Sequence, residues 1–230
     1  MLKQKIGENN QISIIIPTYN EEKDILDCFT SLNKQTFKDF EVIVVDDGST
    51  DGSRDILEKY SDKHKVVFLG KNYGKGMAIR EGFKKASGDI ILIQDADLEY
   101  DPKDYSALLK PILEKKTKVV YGSRFLRKHK PRYVIYFWGN KFLTFITKIL
   151  YGARITDMET CYKMMTKSLA DSLNLISNTF DIEPEITSKL LKKGHKILEL
   201  PISYNSRSVS EGKKINWKDG LKAIYTLFYW

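Results

Sequence analysis

Ile12-Ser13-Ile14-Ile15-Ile16-Pro17-Thr18-Tyr19-Asn20-Glu21 sets the architecture. Its first half is an apolar, β-branched run without alternation, the pattern of a strand buried on both faces, and such strands belong to parallel sheets covered by helices. Pro17 and the polar residues behind it end the run. A helix is predicted over 22–33, where Ile25, Leu26, Phe29 and Leu32 recur at helical spacing, and Glu41-Val42-Ile43-Val44-Val45-Asp46 repeats the buried-strand pattern. The alternation continues with a helix at 53–60, a strand at 66–69, a helix at 76–86, a strand at 89–94, a helix at 102–114 and a strand at 118–121. Strands alternating with helices predict an α/β fold with a mostly parallel sheet, whose ligands gather at the carboxyl ends of the strands. Four polar loops should therefore share one edge: 18–21, 46–49, 70–76 and 95–97.

The character of the chain changes after Gly122. A basic stretch, Arg124 to Arg132, leads into the aromatic cluster Tyr133 to Trp138. A helix is predicted over 139–151, with Lys141, Thr144 and Lys148 on one side and a broad apolar face elsewhere, and the segment 133–151 suits a membrane interface. Further on, 161–165 reads as a strand, 168–175 and 183–193 as helices, 196–204 as a strand interrupted by Pro201, and a last helix starts near Trp217. The polar, glycine-containing stretch 205–214 reads as a mobile loop.

The 230 residues suit one domain, 42% hydrophobic and 30% charged, a balance that buries a core rather than leaving the chain disordered. A net charge of +8 favours phosphate-bearing ligands or anionic surfaces. Its lysines and arginines are scattered and no nucleic-acid motif occurs, so no nucleic-acid partner is expected. Cys28 and Cys161 lie too far apart for a CxxC metal site or a disulfide scaffold. The opening MLKQKIGENNQ carries no apolar stretch, and no apolar run is long enough to span a bilayer. A cytoplasmic chain attached peripherally to the membrane is the expectation.

Several residues carry chemistry. Asp95 and Asp97 flank a small residue directly after a buried strand, so two carboxylates can approach one point as ligands of Mg²⁺ or Mn²⁺, with Glu99 as a third oxygen donor. Acids after a strand also serve as turn formers or helix caps. Asp46-Asp47-Gly48-Ser49 ends another strand in two acids and a turn; Asp47 suits a ribose hydroxyl or nucleobase N–H, while Ser49 or Ser53 suits a helix cap. Asn72-Tyr73-Gly74-Lys75-Gly76 lacks the Walker spacing, but Gly74 and Gly76 suit close approach of backbone to a ligand, and Lys75 suits a diphosphate. Arg124, at the end of a strand, suits a phosphate held by two hydrogen bonds, and Arg207, Lys213 and Lys214 suit closure over a diphosphate. His64, His129 and His195 sit beside lysines and read as exposed, with no catalytic part.

Together, Ile16 to Glu21, Asp46 to Ser49, Asn72 to Gly76 and Asp95 to Glu99 resemble the family 2 glycosyltransferases of GT-A fold in order and spacing. Gly122-Ser123-Arg124, Thr156-Asp157 with Cys161-Tyr162-Lys163, Phe180 to Glu185, Pro201 to Tyr204, and Arg207 with Gly212-Lys213-Lys214 resemble the dolichol-phosphate mannose synthase, or polyprenyl-phosphate glycosyltransferase, branch. The resemblance implies a Rossmann-like sheet with an interfacial helix and no transmembrane helix. It implies that Pro17, Tyr19, Glu21 and Asp47 contact the nucleoside of a nucleotide diphosphate sugar, that Asp95, Asp97 and Glu99 hold the metal, and that Arg207 and Lys213 close over the diphosphate. Residues 1–122 would then form the donor and metal half and 123–230 the acceptor half. Arg124, helped by Asn140, Lys141 or Thr144, would grip the phosphate of a polyprenyl (dolichyl or undecaprenyl) phosphate lipid. A phosphate monoester is already deprotonated at neutral pH, its second pKa being about 6, so inverting transfer of a hexose from GDP-mannose or a UDP-sugar needs no general base. The rivals are a sister enzyme that glycosylates a sugar hydroxyl, with Asp157 as base, and a sugar nucleotidyltransferase.

Overall fold

The computed structural model describes residues 12–127, 133–206 and 217–230. Its centre is a seven-stranded sheet made of β1 (Ile12–Thr18), β2 (Phe40–Asp46), β3 (Lys65–Phe68), β4 (Ile90–Ile93), β5 (Val119–Ser123), β6 (Lys163–Thr166) and β7 (Leu198–Pro201), in the order β3-β2-β1-β4-β6-β5-β7. β1 pairs in parallel with β2 and β4, and β5 pairs in parallel with β7. Only β6 runs backwards, antiparallel to both β4 and β5, with Leu92 opposite Met164 and Tyr121 opposite Lys163. The expected mostly parallel sheet is present, and the reversal has a consequence for the site: the segment entering β6 lies at the edge where the parallel strands end.

The helices are α1 (Ile25–Lys34), α2 (Ser53–Lys59), α3 (Lys75–Lys85), α4 (Tyr105–Leu113), α5 (Val134–Tyr151), α6 (Lys167–Ser172), α7 (Ile182–Lys192) and α8 (Trp217–Tyr229). One hydrophobic cluster joins the strands to α1, α3, α4 and α7, with Ile12, Ile14, Ile15 and Ile16 all fully buried, as the β-branched run without alternation predicts. α3 lies so close to the sheet that a Cβ on Gly82 would sit 2.4 Å from Ile15 Cγ2. His64 departs from expectation: it is half-buried, its ring 4.7 Å from that of Phe29, and burial pushes its pKa down.

The second half departs more. α5 begins at Val134, so most of the aromatic cluster forms its first turns instead of preceding it. The last strand is confined to 198–201. A second hydrophobic cluster, built on Leu143, Ile155, Met158, Ala223 and Leu227, packs α5 against α8. Outward, Ile135, Trp138, Phe142, Phe145 and Ile149 form an exposed ridge on α5, and Trp217, Leu221, Tyr225 and Phe228 form another on α8. The spacing of three and four residues keeps each ridge on one helix face. Among the described residues, no helix is long and apolar enough to cross a membrane.

Gly82→Ala should destabilise the fold by about 1–3 kcal/mol, because the added methyl overpacks the contact between α3 and β1. Urea denaturation measures it, and an unchanged midpoint would show that the helix yields at no cost.

Candidate active site

A cavity of about 350 Å³, within the range of small-molecule sites, opens at the carboxyl ends of β1, β2 and β4. Pro17, Tyr19 and Glu21 reach it from the loop after β1, Asp47 from β2, Lys75 from the start of α3, Asp95, Asp97 and Glu99 from the loop after β4, and Arg124 from the end of β5. Nine of the residues singled out in the sequence therefore share one space. Arg207 and Lys213 lie outside the described residues, as do Lys214, His129 and most of the loop at 205–214.

The polar loops are tied to one another. Asn20 stands in the left-handed region, at φ 52°, which turns the chain after β1. Its N–H donates to Ser49 Oγ at 2.9 Å, and the Glu21 N–H donates to Ser53 Oγ at 2.9 Å. The two serines thus bind the neighbouring loop instead of capping α2. Asp47 accepts from the Tyr73 and Gly74 N–H groups at 2.8 and 2.7 Å, and burial pushes its carboxyl up against the pull of those donors. Gly74 and Gly76 serve packing: a Cβ on either would lie 2.4–2.5 Å from the carbonyl oxygen of Asn178 or Ser177, and Gly74 has φ 106°. They bring α3 against the 177–179 loop.

Lys75 is the centre of an alternating charge chain. Its Nζ lies 2.8 Å from Asp95 Oδ1 and 3.2 Å from Glu183 Oε1, and Glu183 Oε2 in turn receives the ammonium of the fully buried Lys163. Lys163 also donates to the carbonyls of Met158 and Thr160. Burial opposes the Lys75 charge, but Asp95, Cys161 and Glu183 together outweigh it and hold the group well above its ordinary pKa. Asp97 Oδ1 accepts from the Glu99 N–H at 3.2 Å, across Leu98 at φ 59°. Glu99 Oε2 accepts from the Tyr204 hydroxyl at 3.1 Å. Among the described residues no three acidic, His or Cys side chains form a ready-made metal cage, so Asp95, Asp97 and Glu99 do not converge as three ligands. Two hard carboxylates beside open space still fit Mg²⁺ or Mn²⁺, which bind through one or two carboxylates plus phosphate oxygens and water.

Arg124 is almost wholly buried. Asp157 holds it by a fork, Nε to Oδ2 at 2.8 Å and Nη2 to Oδ1 at 2.7 Å, and also accepts from its backbone N–H at 3.0 Å. Burial opposes the guanidinium charge, yet Asp157 keeps its pKa well above the ordinary value. Glu199 supports the pair from β7 by accepting from the Thr156 and Asp157 N–H groups at 2.6 and 2.9 Å. Asp157 is therefore a structural partner of Arg124 and a poor candidate base. The other acceptor-side candidates fall outside the cavity lining. Thr144 is buried and accepts from the Met158 N–H at 3.1 Å, while Lys141 Nζ stands 3.8 Å above the Phe125 ring; Asn140 is half-buried on α5. Sequence reasoning missed Glu159, Phe180 and Glu183 as lining residues. Phe180 and Glu183 fall within the stretch 180–185 singled out in the sequence, and Glu159 lies between the Thr156-Asp157 and Cys161-Tyr162-Lys163 pieces of another.

Asp157→Ala should destabilise the fold by about 3–5 kcal/mol, because it strands a buried guanidinium. A variant that kept wild-type thermal stability while losing activity would instead restore Asp157 as a base.

The family described as Glycosyl transferase family 2 matches residues 13–173. The chain is 30% identical to an uncharacterized protein of Methanocaldococcus jannaschii, over 97% of this chain and 94% of that one. It is 28% identical to the dolichol-phosphate mannosyltransferase of Pyrococcus furiosus, over 96% of this chain but 64% of that protein. It is 30% identical to glycosyltransferase AglJ of Haloferax volcanii, over 85% of this chain and 63% of that protein, so it spans just under two thirds of the length of these last two relatives. In fold it is similar to glucosyl-3-phosphoglycerate synthase from Mycobacterium tuberculosis, solved with Mn²⁺, UDP and phosphoglyceric acid, at a TM-score of 0.73 and 19% identity over 96% of this chain and 78% of that one. It is similar also to S. aureus TarS in complex with UDP-GlcNAc, at a TM-score of 0.62 and 21% identity over 94% and 65%. With a family match over most of its length and a sheet and strand-end loops of the matching kind, this chain belongs to glycosyl transferase family 2 and is a glycosyltransferase of GT-A fold.

Proposed function

We propose that the cavity binds a nucleotide diphosphate sugar together with Mg²⁺ or Mn²⁺ and transfers the sugar, with inversion, to an acceptor entering beside Arg124. The observation that carries this reading is the meeting of Asp47, Asp95 and Asp97 in one cavity at the ends of three adjacent parallel strands. Pro17, Tyr19, Glu21 and Asp47 would flank the nucleoside, and Asp95 and Asp97 would hold the metal, with Glu99 behind them. The metal neutralises the charge that develops on the departing diphosphate. The solved relatives with Mn²⁺, UDP or UDP-GlcNAc support such a donor and metal. In this reading residues 1–122 serve the donor and 123–230 the acceptor.

Two acceptor classes rest on different observations. A hydroxyl acceptor is the better supported by the comparisons, since the solved relative with phosphoglyceric acid works with a small water-soluble molecule. The ion pair between Arg124 and Asp157 bears on both classes: it engages two of the guanidinium nitrogens that would grip a phosphate, and it occupies the carboxylate that a hydroxyl acceptor would use as base. A polyprenyl phosphate is favoured by the names of the Pyrococcus relative and of a Proteus mirabilis relative, an undecaprenyl-phosphate sugar transferase 38% identical over 44% of this chain. The exposed ridges of α5 and α8 favour it too, since aromatic and aliphatic side chains beside Lys141, Lys148 and Lys218 suit an anionic lipid surface and peripheral attachment.

Labelled UDP- and GDP-sugars offered with Mg²⁺ or Mn²⁺ to polyprenyl phosphate and to soluble glycans should give EDTA-sensitive transfer. Label in the organic phase selects the lipid, and label confined to water-soluble product selects the hydroxyl. Asp97→Ala should lower turnover by about a hundredfold or more with the fold intact. Turnover near that of the wild type in this variant would remove Asp97 from the metal site.

A further inference from the structure

Two acidic side chains in the cavity, Glu159 and Glu183, have a covered oxygen without a hydrogen bond, and that of Glu183 has the Lys75 ammonium 3.2 Å away. Glu159 lines the cavity beside Arg124, Cys161, Phe180 and Glu183, yet its Oε1 is fully covered and makes no hydrogen bond. The charged groups around it are already engaged. Asp157 and Arg124 hold each other, and Lys163 is taken by Glu183 and two carbonyls. Burial, opposed by Lys163 and Arg124 and reinforced by Glu183 and Asp157, pushes the Glu159 carboxyl up to about 7. A carboxyl raised in the folded state binds its proton more tightly there than in the unfolded chain. Its ionisation therefore removes stability as pH rises from the ordinary 4.5 towards 7. A glutamine would carry no such cost. A buried polar atom without a partner, in a group that weakens the fold, is explained most simply by a ligand that supplies the partner.

The order of the strands says which ligand. The loops after β2 and β1 lie at one end of the cavity and Asp95 and Asp97 follow β4 in the middle. Glu159 lies in the segment entering β6, on the far side of β4, and reaches this edge only because β6 is antiparallel. A donor laid across the strand ends, with its nucleoside at Asp47 and its diphosphate at Asp95 and Asp97, would put its sugar beside Glu159.

We propose that the Glu159 carboxyl, turning an oxygen to the cavity it lines, accepts a hydrogen bond from a sugar-type hydroxyl bound there and so determines which sugar or acceptor is used. The inference rests on the glycosyltransferase reading above. The hydroxyl belongs either to the transferred sugar or to a hydroxyl acceptor, and the measurement separates them. With Mn²⁺ present, calorimetric titrations of UDP, GDP and their sugars into the full chain would be compared for the wild type, Glu159→Gln and Glu159→Ala. Acceptor KM would be measured alongside. A contact to the transferred sugar predicts that Glu159→Ala binds the nucleotide sugar about tenfold more weakly while the free nucleotide is unaffected, with most of the loss recovered in Glu159→Gln. A contact to the acceptor leaves donor binding unchanged and raises acceptor KM about tenfold. Both variants matching the wild type within about twofold, or weakening free nucleotide and nucleotide sugar equally, would overturn the assignment. A wild-type chain that binds no nucleotide would overturn the donor reading beneath it. Thermal melts give an independent check on folding: Glu159→Gln should be more stable than the wild type at pH 8 and gain less at pH 5.

Discussion

The site depends on the chain of charges Asp95–Lys75–Glu183–Lys163, which runs from the cavity wall to the fully buried Lys163. These groups come from the loop after β4, the start of α3, α7 and β6, so the chain ties the donor side of the molecule to the acceptor side. An ion taken from water into the interior costs several kcal/mol unless it is paired and hydrogen-bonded. Here each cation sits between carboxylates or carbonyl oxygens, so breaking any member leaves its neighbour uncompensated. The glycines at 74 and 76 make this possible by letting α3 approach the 177–179 loop without a side chain between them. The network thus fixes where Asp95 stands at the cavity and counters part of its charge.

A second lock stands beside it. Arg124 is held by Asp157, whose backbone N–H donates to Glu199 on β7. Burial pushes the Glu199 carboxyl up, and the donors from residues 156 and 157 oppose that rise. The two locks leave a cavity whose charged lining is mostly acidic, seven carboxylates against two cations, Lys75 and Arg124. Such a lining suits a metal and hydroxyl-bearing sugars directly, whereas a second phosphate needs positive charge from elsewhere. α5 and α8 carry their apolar ridges on the same half of the chain as Arg124, which keeps the lipid acceptor in play.

Much of the donor side was legible in the sequence because its signals are local. A β-branched run without alternation says strand, a proline and polar residues say its end, and acids at strand ends can only gather at one edge of a parallel sheet. The acceptor side was less legible because its signals are relational. Periodicity marks Lys163 to Thr166 as a strand but says nothing of direction, and the reversal of β6 is what brings Glu159 to the cavity. Asp157 enters the sequence reading as the base of a rival mechanism, and its fork with Arg124 joins residues 33 apart in sequence, which no local pattern announces. Lys75 read as a diphosphate contact, since nothing nearby announces Glu183 as its partner. Thr144 and Lys141 shared a helix face in the sequence, yet α8 and the loop at 158 take up that side of α5.

The central claim is that metal and donor diphosphate complete one another in this cavity, because two carboxylates without a third do not hold the ion alone. Isothermal titration of Mn²⁺ into the chain with and without UDP or GDP tests it most directly. Mn²⁺ alone should bind weakly, and at least about tenfold more tightly with the nucleotide present, a gain lost in Asp97→Ala. Equal Mn²⁺ affinity with and without nucleotide, or a tight site that survives the substitution, would contradict the claim.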